Sequence, residues 1–238
     1  MTLKISLDLQ KLKNSLQAKN LARFFKTKKG EYGEGDIFYG IKVPSTREVA
    51  KKYFNEMSLE ETEELLHSKI HEERLCALLI LVLKFENEKT TPEEQKEIFK
   101  LYLKNTKYIN NWDLVDLSSH HIVGAYLFEN KNEISILEKL AKSQLLWDRR
   151  IAMVSCYHFI YRKDFQQPLI IAKILLNDKE DLMHKAVGWM LREIGKRDLI
   201  VEETFLKENY KLMPRTMLRY AIEKFLEEKR KKYLEGKI

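Results

Sequence analysis

Lys185, Trp189, Arg192 and Lys196 recur at helical spacing in HKAVGWMLREIGK, away from the apolar stripe of Met183, Ala186, Val187, Met190 and Ile194. A tryptophan interleaved with three cations suits nucleic acid: the cations neutralise phosphates and the indole lies against a sugar or base, both without sequence preference. Arg149 and Arg150 follow Trp147, and Arg215 and Arg219 are paired at i, i+4, so the set extends into a cationic rail. The competing reading of each arginine is a salt bridge with a neighbour such as Asp148 or Glu223. Trp112 and Asp116, four residues apart in NNWDLVDLSSHH, share another helix face, with Ser119 and His120 one turn on. Spacing leaves two readings of this pair, a site, or a core indole beside an acid that caps or pairs on the helix surface.

The elements that must carry these residues are helices. The chain has 238 residues, 44% of them hydrophobic, with only 8 Gly and 4 Pro. That composition excludes disorder and is too poor in turn residues for a sandwich or barrel. Apolar positions recur at helical spacing over 71–85, 113–127, 147–161, 182–194 and 214–226, each preceded by a shorter, more polar helix at 58–68, 91–105, 132–142, 167–176 and 198–209. A repeat of this kind predicts an all-α chain, an α-solenoid of HEAT- or armadillo-like helical hairpins. Ser58 with Glu61, and Thr91-Pro92 with Glu94, read as capping boxes. The expected organisation is a single domain over 1–238: an N-terminal helix and loop in 1–44, repeat helices in 45–228, and a charged, fraying end in 229–238. All three tryptophans fall on the second helices, which in such stacks tend to line the concave surface.

Five blocks, FYGIKVPSTREVAKKYF (38–54), NNWDLVDLSSHHIVGAYL (110–127), LWDRRIAMVSCYHFIYRKDF (146–165), HKAVGWMLREIGKRD (184–198) and MPRTMLRYAIEKF (213–225), resemble the AlkD-like DNA alkylation repair glycosylases, a family of HEAT-like solenoids. The resemblance runs in order from about residue 10 to 235. It implies that Trp112 is an aromatic contact at the lesion, Asp116 the catalytic carboxylate, Trp189 a second aromatic wall, and Arg150 a holder of backbone phosphate. It also implies excision of cationic N3- and N7-alkylated purines from duplex DNA, without a base flipped into a deep pocket. A cationic base departs neutral and needs no general acid, so the task left is to stabilise an oxocarbenium sugar, which a carboxylate and two indoles suit. Asp116 would also orient the attacking water, and the product would be an abasic site.

The charge balance is +7 with a sequence pI near 9.1, distributed as plus five over 1–60, minus five over 61–130, plus five over 131–197 and plus two over 198–238. Such a balance favours a polyanionic partner such as duplex DNA. Cys76 and Cys156 lie inside apolar runs without metal or redox spacing and read as buried thiols. His67 and His71 are spaced i, i+4 with no third ligand in view, so no metal and no cofactor are expected. The run Glu60, Glu61, Glu63, Glu64 reads as a solvated helix face. No run reaches the roughly 18 apolar residues of a membrane span, and a cytoplasmic, nucleoid-associated monomer is the expectation. Two alternatives to a glycosylase stand beside it: a non-catalytic helical-repeat protein for distorted or branched DNA, and a protein-binding scaffold, which the basic rail disfavours.

Overall fold

The computed structural model describes residues 1–238, and its regular structure is helical apart from one isolated parallel bridge between Ile37 and Ile70. Contacts group the chain into two compact units, residues 1–122 and 123–238.

The first unit holds α1 (Thr2–Lys11), α2 (Ser15–Phe24), α3 (Val43–Tyr53), α4 (Leu59–Leu66), α5 (His71–Phe85), α6 (Pro92–Lys104) and α7 (Trp112–Asp116). A helix that is apolar all round belongs in a core, and α5, with HEERLCALLILV wholly buried, is the one against which α3, α4, α6 and α7 pack. Its first turn is the anomaly. His71, Glu72, Glu73 and Arg74 are all buried there, a concentration of polar groups that needs partners. The capping boxes at Ser58/Glu61 and Thr91/Glu94 are both formed, so local chemistry sets the starts of α4 and α6.

The second unit holds α8 (Ala125–Glu129), α9 (Ser135–Ala141), α10 (Leu146–Tyr161), α11 (Gln166–Ile174), α12 (Asp181–Gly195), α13 (Leu199–Asn209), α14 (Arg215–Ala221) and α15 (Glu227–Leu234). Helices α9, α11 and α13 alternate with α10, α12 and α14, and α12 packs between α10 and α14. These are stacked helical hairpins, as the repeat predicts. The approach of α12 to α14 is close enough that a Cβ at Gly188 would come 2.4 Å from the Met217 carbonyl oxygen. Cys76 and Cys156 are buried free thiols, and burial pushes the Cys76 thiol up to about 12.

Several expectations need correction. Helix 113–127 is not continuous: α7 stops after five residues, a π-helical turn occupies His120–Gly124, and α8 resumes at Ala125. Ser118 donates its hydroxyl to the Leu114 carbonyl at 2.5 Å, the local competition with helical bonding that serines offer, and a π turn takes up the register beyond it. Residues 1–44 contain two helices rather than one. The last repeat helix ends at Ala221 in a 3-10 turn over Ile222–Lys224. The C-terminal segment does not fray: Tyr233 is buried edge-on against Tyr210 and Phe225, anchoring α15. Nor are the acids of α4 simply solvated, since Glu61 takes the N-terminal ammonium at 2.7 Å and Glu63 takes Lys104 at 2.9 Å.

Candidate functional site

Helix α7 is too short to hold itself, because an isolated helix in water needs roughly 12–15 residues. Its start is fixed by side chains instead. Asn111 Oδ1 accepts the Trp112 backbone N–H at 2.9 Å, and Asp113 Oδ1 accepts that of Leu114 at 2.9 Å. Leu114 and Val115 anchor the helix in the core, which turns Trp112 and Asp116 toward a cavity of about 470 Å³. The other walls come from Phe24 and Phe25 at the end of α2, Phe38 and Ile41 in the 25–42 loop, and Leu75 of α5. Trp112 stacks on Phe25, ring centroids 5.1 Å apart, and meets Phe24 edge-on at 5.8 Å. Phe25 is buried and Phe24 is exposed, so the aromatic wall runs from the core to the surface.

Three carboxylates border this cavity: Glu72, Asp113 and Asp116. Glu72 is consumed by structure, accepting the backbone N–H groups of Tyr39 at 2.9 Å, Gly40 at 2.8 Å and Ile41 at 3.1 Å. Asp113 is consumed by His71, whose Nε2 lies 2.8 Å from its Oδ2. The opposite ring nitrogen, Nδ1, faces Asp36 Oδ2 at 3.1 Å, and Arg74 donates to the other oxygen of Asp36 at 2.6 Å. Asn111 Nδ2 adds a bond to Asp36 at 3.2 Å. Both ring nitrogens thus meet acceptors, which requires both to carry protons. Burial opposes that charge, but Asp113 and Asp36 outweigh it and raise the imidazole pKa to about 9. For Asp36, burial pushes the pKa up, and the His71 and Arg74 contacts more than offset it, holding the acid below its ordinary value.

Spacing pairs His71 with His67, but in the fold His67 bonds to Asn105 across α4 and α6 and His71 belongs to the acid pair; no three His, Cys, Asp or Glu side chains are placed to hold a metal ion. The N-terminal loop supplies Phe38 and Ile41, and also Asp36, which no motif singles out. One signal was present: four polar residues open the helix that carries the run LCALLILVL.

The other expected site residues lie in the second unit. Trp189 is half-buried on α12, its ring 6.2 Å from that of Tyr157, and the Arg197 guanidinium lies 5.6 Å from the Tyr157 ring centre. The cationic rail is largely committed within the protein. Arg149 pairs with Asp178 at 2.6 Å and donates to the Ser143 and Gln144 carbonyls. Arg150 is 5% exposed and donates to the Leu182 carbonyl at 2.7 Å, which leaves little of it to meet a phosphate. Lys185 pairs with Asp181, Arg192 with Glu223 and Lys196 with Glu193. Arg215 donates to the Leu234 carbonyl at 2.5 Å, and Arg219 stands exposed on α14. The salt-bridge reading therefore describes most of these side chains.

Helical hairpins define a helical-repeat protein, and its first unit carries an aromatic cavity with Asp116 in the wall. The chain belongs to the DNA alkylation repair enzyme family, whose model matches residues 5–225. No curated protein matches it in sequence. Among solved structures, one described as a predicted DNA alkylation repair enzyme from Enterococcus faecalis is similar with a TM-score of 0.70 at 17% identity, covering 90% of this chain and 97% of that one. AlkD2 from Streptococcus mutans gives a TM-score of 0.59 at 16% identity, covering 88% of this chain and 97% of that one. At such identities the likeness concerns the fold.

Proposed function

We propose that this member of the family is a monofunctional DNA glycosylase that hydrolyses the N-glycosidic bond of cationic N3- and N7-alkylated purines in duplex DNA and leaves an abasic site. The observation that carries the reading is the placement of Trp112 and Asp116 on the wall of one aromatic cavity, beside two carboxylates already engaged by protein groups. In this reading the base, positively charged by alkylation, leaves as a neutral molecule, and the sugar becomes an oxocarbenium ion. Asp116 as carboxylate stabilises that cation and orients the water that attacks the anomeric carbon, and the Trp112 indole offers it an electron-rich face. Trp189 acts as a second aromatic surface. Arg150, buried against the start of α12, contributes by holding that helix more than by direct phosphate contact.

The test is release of free base from duplex DNA containing a single 7-methylguanine or 3-methyladenine. Removing a preorganised electrostatic group from a transition state costs about 10²–10³ in rate, so Asp116→Asn is expected to lose at least that much excision while binding the duplex as wild type does. Binding without release by wild type on either lesion would make the protein a DNA-binding scaffold.

A further inference from the structure

We propose that His71, bridging Asp36 and Asp113 as an imidazolium, is a positioning residue for the excision site: its two N–H groups tie the 25–42 loop to the first turn of α7 and so set where Trp112 and Asp116 stand on the cavity wall. The inference rests on the glycosylase reading.

The start of α7 is joined to the loop by the His71 bridge and by the weaker Asn111–Asp36 bond at 3.2 Å. Asp113 spends one carboxylate oxygen on the Leu114 N–H of its own helix and the other on His71. Asp36 lies across the ring, held by Arg74 and Asn111. The side chains of His71 and Asp36 are 2% and 3% exposed, so water cannot replace a lost contact cheaply. A neutral imidazole has a single N–H. On deprotonation one of the two carboxylates is left facing a ring lone pair in a buried place, and the link between the loop and α7 is reduced to the Asn111–Asp36 bond, which loosens the placement of α7.

The ring is also part of the aromatic wall. It stacks on Phe38 at 4.6 Å and lies tilted against Phe25 at 5.1 Å, and Phe25 in turn stacks on Trp112. A shift of His71 is thereby carried to the indole through a single intervening ring. The charged groups that face the ring are Asp36 from the loop, Asp113 from α7, and Arg74 from the same first turn of α5, which opposes the ring's charge. Of the flanking acids, Glu72 is spent on the loop backbone, and Glu73 takes the hydroxyls of Tyr39 and Ser68.

The sign of the pH effect follows. With the pKa raised from 6.5 to about 9, the bridge is intact through neutral pH and is lost as pH rises through about 9. The experiment pairs an NMR titration of ring-labelled histidine with single-turnover base release across the same pH range. Release is read on 3-methyladenine, because loss of the N1 proton of 7-methylguanine would itself titrate.

Wild type is expected to lose excision along the His71 titration near pH 9. Asp36→Asn, which keeps the side-chain shape but removes one carboxylate charge, should move both curves down by roughly one pH unit or more; Asp113→Asn serves if that variant does not fold. In Asp116→Asn the His71 titration should stay near 9 although release is gone, which separates the bridge from the chemistry. Titration of His71 near its ordinary 6.5, or a release limb unmoved in a folded Asp36→Asn protein, would overturn the proposal. High titration with no release by wild type would overturn the glycosylase reading and, with it, the positioning role.

Discussion

Glu202 shows how far one side chain can be driven by its surroundings. It is buried on α13 against the end of α12, so close that a Cβ at Gly195 would fall 1.6 Å from its Oε2. Burial, reinforced by Glu203 and opposed by Arg192, raises its pKa to about 8. An acid kept neutral in the fold but ionised in the unfolded chain above about 4.5 weakens the fold progressively as pH climbs from there through 8. Glu202→Gln is therefore expected to match wild type in thermal unfolding at pH 4 and to melt higher at pH 8.5, by roughly 2–4 °C for each kcal/mol recovered. Equal melting at pH 8.5 would show that the carboxylate has a compensating partner. Asp116 contrasts with Glu202 at this same scale. It lies at the wall of an open cavity and not in a packed interior, a place that suits the charged carboxylate the glycosylase reading asks for.

Among the elements, the 25–42 loop matters more than its lack of regular structure suggests. Three of its backbone N–H groups converge on the Glu72 carboxylate, so an acid in the first turn of α5 does for the loop what a strand partner would do elsewhere. The loop reaches this position through Gly40, whose φ of +84° and whose approach to α2 both exclude a side chain; a Cβ there would lie 2.2 Å from the Asn14 carbonyl oxygen. Gly40→Ala is expected to cost about 1–3 kcal/mol from the backbone strain alone, with faster amide exchange at Tyr39, Gly40 and Ile41. Urea unfolding at the wild-type midpoint would sink that account. Helix α7 is the second such element. It owes its existence to the caps of Asn111 and Asp113 and to the core anchors Leu114 and Val115, not to length.

Over the whole molecule, a net charge of +7 is compatible with a polyanionic partner, but most of the arginines expected to meet it are occupied by the protein itself. The exposed and the engaged cations should behave differently. Neutralising a phosphate contact lowers the slope of log K against log salt by about one. Arg219→Gln, at an exposed position on α14, is expected to lower the salt slope of duplex binding by about one with thermal stability unchanged. Arg149→Gln should act the other way: it leaves Asp178, which is 4% exposed, with the Glu180 N–H but without its counter-charge, and destabilises the fold with little change in slope. An unchanged slope for Arg219→Gln would place that residue outside the DNA footprint.

Most of the fold was legible along the chain because it is local. Helices α4 and α6 begin where the Ser58 and Thr91 boxes place them, and α5, α10 and α12 follow their apolar spacing to within a residue or two. The shared face of Trp112 and Asp116 was readable for the same reason, since i, i+4 geometry is a property of any helix. What spacing could not decide was which partners distant residues take. Asp36, His71 and Asp113 are 35 and 42 residues apart, with nothing in their order to mark them as one network, and Arg149 and Asp178 are 29 apart. Burial is decided by packing, and packing alone converts an N-terminal loop into a cavity wall and an apparent cationic rail into internal ion pairs. The sequence by itself determined most of the helices and the faces they present. Only the tertiary structure decided which charges are neutralised and which line a cavity, because electrostatic partners are chosen in space and a chain records only order.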